Sequence, residues 1–471
     1  MLGRTRRPAG CAGALLSFVL TILPGLQGCV LKPEPTAEQV QAQMLVNATI
    51  PAAWTVQGAA PGGIESGWLG KFRDPALDAL VEEALKYNAD LKTAAARVEQ
   101  AAAYVSVARG KLYPAISALG RAGIEQSGDS SGLQGAIISA AWELDLWGRV
   151  RYGSRSAADR YSASQSDYAF ARQSLAALVA KSWFLATEAS LQRDLAREMV
   201  LAAGKQLNLA QNRERVGVGS DYDVALARVN LNSYRDSLLQ LDLSREQSLR
   251  ALEALLGRYP SAEIAVADRL AELGSPAPAG LPSDLLERRP DVAAAERRIG
   301  AAFSSVQEAR AARLPSLSLT GGISDLTSDL LVLQDRDQPQ WGIGGKVLAP
   351  LFTGGALKAQ VSVRTAEQKQ ALAAYASIAL TAFGEVENAL SSEAALHARE
   401  AALAAAVTDA ARALQLAETR YRVGSGDLRS VQQQQLSYHA ARMNLLRVQS
   451  EQRVQRVNLH LALGGDYSAL K

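Results

Sequence analysis

Residues able to do chemistry are few in this chain, and their spacing excludes most of it. Its 471 residues include 3 His, 2 Cys and 4 Met. His397, His439 and His460 all fall within helical patterns. No His-x-x-x-His pair, serine elbow or Walker motif accompanies them. That supply is too small for a catalytic metal site. The sequence therefore predicts no enzyme, no cofactor and no metal. The residue with a chemical role is Cys29. It closes Leu26-Gln27-Gly28-Cys29, behind a charged start (Arg4, Arg6, Arg7) and an apolar run, Ala12 to Leu23, too short to span a bilayer comfortably. This is the pattern of a lipobox, cut before the cysteine by signal peptidase II. It predicts a signal peptide over 1–28 and covalent N-acyl and diacylglycerol lipid on Cys29. Val30 stands where an inner-membrane retention signal would have Asp, so outer-membrane sorting is expected. Removing 1–28 leaves 47 basic and 47 acidic residues. A formal charge of zero points away from nucleic acid. With Cys29 acylated, no disulfide is available.

The chain also repeats itself. Asn88-Ala-Asp-Leu, leading to Leu112-Tyr-Pro, recurs as Arg289-Pro-Asp-Val leading to Leu314-Pro-Ser. Asp90, Arg97, Arg109 and Pro114 map onto Asp291, Arg298, Arg310 and Pro315 at a shift of 201. Arg215-Val-Gly-Val-Gly recurs as Arg422-Val-Gly-Ser-Gly, and Leu256-Gly257 as Leu463-Gly464, at a shift of 207. A period this long marks a duplicated folding unit rather than a solenoid, whose period is about 20–50 residues.

The elements follow from proline, glycine and periodicity. Residues 30–73 carry scattered Pro and Gly and read as an extended segment. Asp74-Pro75 opens a helix. No Pro occurs from 115 to 259 or from 351 to 471, and 154–203 lack Gly as well. Such Ala-, Leu- and Arg-rich stretches form strong helices, and fifty residues of helix would reach about 75 Å. Between the helices the period changes to two. Ile116, Ala118 and Gly120 oppose Ser117 and Leu119, while Ala136, Ile138, Ala140, Trp142 and Leu144 oppose Ser139 and Glu143. In the second half Leu317, Leu319, Gly321 and Ile323 oppose Ser316, Ser318 and Thr320, and Trp341, Ile343 and Val347 alternate with Gly342, Gly344 and Lys346. The connecting loop expected at 325–339 is longer than the polar turn at 126–132, which accounts for the slip of six. One apolar and one polar face over about ten residues suits an outer-membrane barrel strand. Trp142, Trp147, Trp341 and Phe352 suit an aromatic girdle. Two soluble hairpins capping a helical bundle would show the same alternation. Four strands cannot close a barrel, for which about eight are needed, and open edges in a bilayer are forbidden. Membrane entry would therefore require several chains to share one barrel.

Each half thus reads as helix, β-hairpin, very long helix, short glycine turn, long helix. The expected segments are the signal peptide 1–28, an N-terminal segment 29–73, a first repeat 74–260, a linker 261–285, a second repeat 286–464 and a tail 465–471. The hairpins fall near 113–147 and 314–352, the turns near 215–222 and 422–428. At the turns, Gly217, Gly219, Gly424 and Gly426 supply left-handed conformations that close a helical hairpin.

Lipobox, duplication, paired hairpins and Pro-free helices together resemble the outer-membrane factor family, the TolC-like channels of efflux pumps and type I secretion, in its lipidated NodT-type branch. The most specific motifs are Arg213-Glu-Arg-Val-Gly-Val-Gly-Ser-Asp-Tyr-Asp-Val224, Thr419-Arg-Tyr-Arg-Val-Gly-Ser-Gly-Asp-Leu428 and Leu285-Leu-Glu-Arg-Arg-Pro-Asp291. The resemblance implies a mainly α homotrimer with a shared twelve-stranded barrel and a periplasmic helical tunnel. It implies a Gram-negative outer-membrane exit duct, anchored in outer-membrane lipid. Its partners would be a periplasmic adaptor and an inner-membrane transporter of the RND type. A type I protein secretion channel, or a non-conducting coiled-coil lipoprotein, are the alternatives. It also implies that the turns at Gly217, Gly219, Ser220, Gly424 and Gly426 meet the adaptor. A gate would lie beside them, with Asp223 hydrogen-bonded to Tyr421 and with Arg420, Arg422 and Asp427 as charged candidates. The family's acidic constriction falls on Ser430 and Gln433, which removes the basis for cation selectivity.

Overall fold

A computed structural model describes residues 31–48, 50–56, 62–63, 66–121, 134–327 and 340–467. Cys29, the polar turn at 126–132 and residues 328–339 lie outside the described residues. The helices are α1 (Ala37–Met44), α2 (Pro75–Tyr87), α3 (Ala89–Gly110), α4 (Arg149–Arg215), α5 (Asp221–Leu256), α6 (Pro282–Arg288), α7 (Pro290–Ala311), α8 (Ala356–Arg422) and α9 (Leu428–Ala462). The strands are β1 (Ala115–Arg121), β2 (Gln134–Leu144), β3 (Ser316–Thr327) and β4 (Gln340–Leu348). The duplication is visible in the lengths. Helices α4 and α8 have 67 residues each, and α3 and α7 have 22 each. Among the described residues, no helix is long and apolar enough to cross a membrane.

Local chemistry fixes the helix ends. Asp74 accepts from the Ala76 and Leu77 N–H groups, with Pro75 in the first turn of α2. The Asp145 carboxylate accepts from the Val150 and Arg151 N–H groups at 3.0 and 2.9 Å, so the chain leaves β2 and enters α4 with its first donors satisfied. Arg149 Nε donates to Glu143 at 2.9 Å and ties the same junction. Two expectations need correction. The segment 29–73 is not extended throughout. It contains α1 and a 3₁₀ turn at Leu69–Phe72. Helix α1 starts in a reciprocal capping box: Gln39 N–H donates to the Thr36 hydroxyl at 3.3 Å, and Thr36 N–H to Gln39 Oε1 at 3.1 Å. The region read as linker ends early, because α6 already begins at Pro282.

The chain forms two compact units, and neither is one of the repeats. The first takes 99–163 and 296–374 together with the start of the chain to Met44; the second takes 45–98, 164–295 and 375–471. Each unit draws the corresponding stretch from both halves.

The first unit holds one antiparallel sheet of order β1-β2-β3-β4. Its register aligns the apolar sets. Ile116 pairs with Ala140 and Ala118 with Ile138. Ile138 pairs with Ile323, Trp142 with Leu319 and Leu144 with Leu317. Leu317 pairs with Val347 and Ile323 with Trp341. Since side chains alternate with period two, all of these share one face. Ser117, Ser139, Ser318, Thr320 and Lys346 share the other, where the Ser117 and Ser139 hydroxyls bond at 2.8 Å. Leu119 and Ile137 form an apolar pair within that polar face.

The second unit has the larger core. Trp68, Phe72, Trp183, Phe184, Leu249, Leu252 and Leu256 are buried together. Trp183 Nε1 donates to Asp74 at 2.7 Å, so the α2 cap also satisfies a buried indole. Ring stacking of Trp68 on His460, with centroids 5.8 Å apart, closes one side. Burial pushes the His460 imidazole down to about 3, which leaves it neutral and structural. Buried Glu253 accepts from the Ala262, Glu263 and Ile264 N–H groups at 2.7, 2.8 and 3.3 Å. It thereby pins the chain where Ala262 takes a φ of 64°. Glu253→Ala strands three donors and should cost about 2–4 kcal/mol. Amide exchange at 262–264 should accelerate by about a hundredfold; unchanged exchange would show that the loop is held by other contacts.

Candidate functional site

Two glycine turns join the long helices of the second unit. After α4, Val218 and Gly219 N–H both donate to Arg213 O at 2.9 Å, and Gly217 N–H to Glu214 O at 2.9 Å. Gly217 has a φ of +77°, which favours glycine. Gly219 is needed for space: a Cβ there would sit 2.8 Å from Glu214 N. Ser220 then caps α5, its hydroxyl accepting from Asp223 N–H at 3.2 Å. The second turn repeats the device. Ser425 N–H donates to Arg420 O at 2.9 Å, Gly424 has a φ of +79°, and a Cβ on Gly426 would lie 3.1 Å from that of Arg420. Asp427 caps α9, accepting from Ser430 N–H at 2.6 Å. That bond and the Ser430 side chain hold its carboxyl below the usual carboxylate range. Val216, Val218 and Val423 are exposed at the tips.

The expected gate residues gather here, with different partners. Tyr421 is buried among Ala210, Val224, Ala227, Leu428 and Val431. Its hydroxyl has no hydrogen-bond partner, so the expected Asp223–Tyr421 bond is not formed within the chain. Burial, assisted by the Asp223 charge and opposed by Arg213, raises the phenol pKa. Packing of the ring decides where Tyr421 goes, and the hydroxyl follows. Its polar contact is made through the ring face and the backbone. The Arg213 guanidinium lies 4.8 Å from the ring centroid, and Arg213 Nη1 donates to Tyr421 O at 3.3 Å. A second bridge joins the two turns at the openings of α5 and α9, where Arg429 Nη2 donates to the Tyr222 hydroxyl at 2.5 Å. Arg420, Arg422, Ser430 and Gln433 are exposed. Neither Arg420 nor Arg422 has an ion-pair partner among the described residues.

Arg213, Tyr222 and Arg429 escaped the sequence reading. A usable signal existed, because Tyr222 and Arg429 are equivalent positions under the shift of 207. A phenol opposite a guanidinium at matched positions of a duplicated hairpin is a candidate pair. His439 and His460 are structural. His439 packs edge-on against Tyr234 with centroids 6.3 Å apart, and burial lowers its pKa to about 4.

Duplicated halves, a one-sided sheet and glycine-closed helical hairpins define a TolC-like channel subunit. The family model for outer membrane efflux protein matches residues 80–258 and 281–465, once on each repeat. The antibiotic efflux pump outer membrane protein ArpC of Pseudomonas putida is 32% identical over 96% of each chain. The cation efflux system protein CusC of Escherichia coli is 30% identical over 96% of this chain and 98% of its own. The outer-membrane channel OprN superposes with a TM-score of 0.80 at 27% identity, covering 89% of this chain and 97% of its own. The chain belongs to the outer membrane efflux protein family. It is an outer-membrane component of an efflux pump in a Gram-negative bacterium.

These contacts make the side chains separable by function. Arg213→Met and Arg429→Met should each raise closed-state conductance in planar bilayers, since each removes a bridge between the turns. The ring contact is worth about 0.5–1 kcal/mol. Tyr421→Phe should leave conductance unchanged, because it removes a hydroxyl without a partner. A rise in Tyr421→Phe would show that this hydroxyl is bonded across a chain interface.

Proposed function

We propose that three copies of this chain share one twelve-stranded barrel and act as the passive exit duct of a tripartite efflux system. The observation that carries the reading is the sheet. Its outer strands β1 and β4 each pair on one side only, while Ile116, Ile138, Ile323, Trp341 and Ile343 are exposed on the apolar face, Ile343 at 81%. Lipid would cover that face, and lipid leaves no solvent to satisfy the edge amides. Closure with further copies answers both demands. Two copies would give eight strands, whose interior side chains fill; three leave a lumen, lined by the face carrying Ser117, Ser139, Ser318, Thr320 and Lys346. Tyr113, Trp147 and Phe352 are exposed beside the strand ends that adjoin the helices, as an interfacial girdle would require.

The duct meets a periplasmic adaptor at the turns of Gly217, Gly219, Ser220, Gly424 and Gly426, and the exposed valines there supply an apolar contact. Energy comes from an inner-membrane transporter of the RND type. The gate lies at the same tips, with Arg213, Tyr222, Tyr421 and Arg429 bridging within the chain and Arg420 and Arg422 available to neighbours. Relatives of nearly equal similarity are named for antibiotics and for cations, so the substrate follows the transporter rather than the duct. Ser430 and Gln433 give the constriction no acidic ring, so no cation selectivity is expected from it. Acylated Cys29 adds a lipid anchor to the barrel. A purified trimer resisting detergent, with single-channel conductance, is the expected behaviour; a non-conducting monomer would refute the proposal.

Two substitutions test the faces. Ile138→Arg should cost about 2–4 kcal/mol at mid-bilayer and impair trimer assembly. Ser139→Arg should assemble and alter conductance. Equal trimer yields would reject the assignment.

Lipidation has its own test. Metabolic palmitate should label the wild type and not Cys29→Ser, and that variant should keep part of its function through the barrel. Label retained in the variant would place the acyl chain elsewhere.

A further inference from the structure

The first described residues occupy a built seat in the first unit. Leu31 rests on Gly148, where a Cβ would come within 2.5 Å of Leu31 Cδ2. Lys32 N–H donates to the Tyr152 hydroxyl at 2.7 Å, and its ammonium stands 5.9 Å from the Phe303 ring centroid. Glu34 then enters between α4 and α7. Its Oε1 receives Arg155 Nε at 3.0 Å and the Ser304 hydroxyl at 3.3 Å. Gly300 forms the floor. A Cβ there would lie 2.9 Å from Glu34 Oε2 and 3.4 Å from Asp159 Oδ2. Two carboxylates from different segments therefore close over one glycine. Asp159 Oδ2 is buried without a hydrogen-bond partner.

We propose that Glu34 and Asp159 share one proton and form a clasp that fastens the strap, residues 31–36, to α4 and α7 more firmly at mildly acidic than at alkaline pH. The charged groups facing Asp159 are Glu34 on the strap, Arg155 on α4 and Arg297 on α7. Burial first, and the Glu34 charge second, push the Asp159 carboxyl up to about 6 against the pull of both arginines. The sign follows. A carboxyl raised in the docked state holds its proton there at pH values where the released strap's partners have lost theirs. The docked state is therefore favoured below the ordinary carboxylate range and loses that advantage as pH rises through about 6. Protonated, Asp159 presents a donor to the Glu34 carboxylate across Gly300. Without the proton, two anions face each other over Gly300, and Arg155 and Arg297 are left to offset both. The clasp does not depend on trimer assembly or on acylation at Cys29.

Hydrogen–deuterium exchange on the full-length protein in detergent tests it. Protection of peptides covering 31–44, corrected for intrinsic rates, should fall by up to about tenfold between pH 5 and pH 8 and level off above about 6. Asp159→Asn keeps a neutral donor beside Glu34 and should give high protection at every pH. Glu34→Gln removes the smaller cause and leaves burial, so it should weaken the pH dependence without abolishing it. Flat wild-type protection across this range would overturn the clasp without recourse to any variant. So would a pH dependence that persists in Asp159→Asn, or loss of strap protection in that variant while peptides from α9 remain protected.

Discussion

Backbone hydrogen bonds that one chain does not supply govern the first unit. Strands β2 and β3 are satisfied on both sides, whereas β1 and β4 each keep one open edge. In water such an edge is tolerable, although it invites aggregation. The side chains deny it water, because the register collects Ile116, Ile138, Ile323, Ile343 and Val347 on one exposed face. Removing that face from water removes solvent from the edges too. The same apolar pattern that suits a membrane therefore calls for partner strands, and this is the physical basis of the proposed oligomer.

At its helix breaks the second unit meets its polar demands internally. Asp74 caps α2 and receives the Trp183 indole; Glu253 accepts three backbone donors; Arg289, with a side chain 4% exposed, bonds Asp291 at 2.7 Å and also meets Glu385 and Ala462 O. A buried guanidinium is tolerable only with such coverage. These groups sit where helices break: Asp74 before α2, Arg289 between α6 and α7, Glu253 near the end of α5. Polar satisfaction is spent at the breaks because the helix interiors satisfy themselves.

Much of this was legible in the chain. Period-two alternation located four strands and assigned their faces, since a one-residue slip would have exchanged every side chain. The absence of Pro and Gly over long stretches gave the helices. Short-range chemistry was legible but overlooked at Thr36-Ala-Glu-Gln39, whose capping box starts a helix in a segment read as extended. The contacts between the turns are of another kind. Whether Tyr421 uses its hydroxyl or its ring depends on how α4, α5, α8 and α9 pack, and no local pattern encodes that. Burial among Ala210, Val224 and Val431 set the ring's position and left Arg213 as its cationic neighbour. The division into units was also hidden, because each unit is assembled from stretches of both repeats.

Duplication poses a problem at the turns that divergence solves. Two copies of one hairpin meet through equivalent positions, so an unchanged residue would face its own kind. Two arginines would repel and two tyrosines would lack a charge. At positions 222 and 429 the repeats have diverged into a phenol and a guanidinium, which attract. At 213 and 420 both copies kept Arg, and the outcomes differ: Arg213 is absorbed by the Tyr421 ring and backbone, while Arg420 has no side-chain partner among the described residues. The second repeat has Tyr421 where the first has Glu214, and Glu214 makes no ion pair with Arg420 among the described residues. In the proposed trimer the unmatched cation is available to a neighbouring copy. Exposed contacts of this kind are weak and screened by salt. In the proposed trimer, a closed state held by several of them can be stable in sum and still yield to a partner that binds the turns.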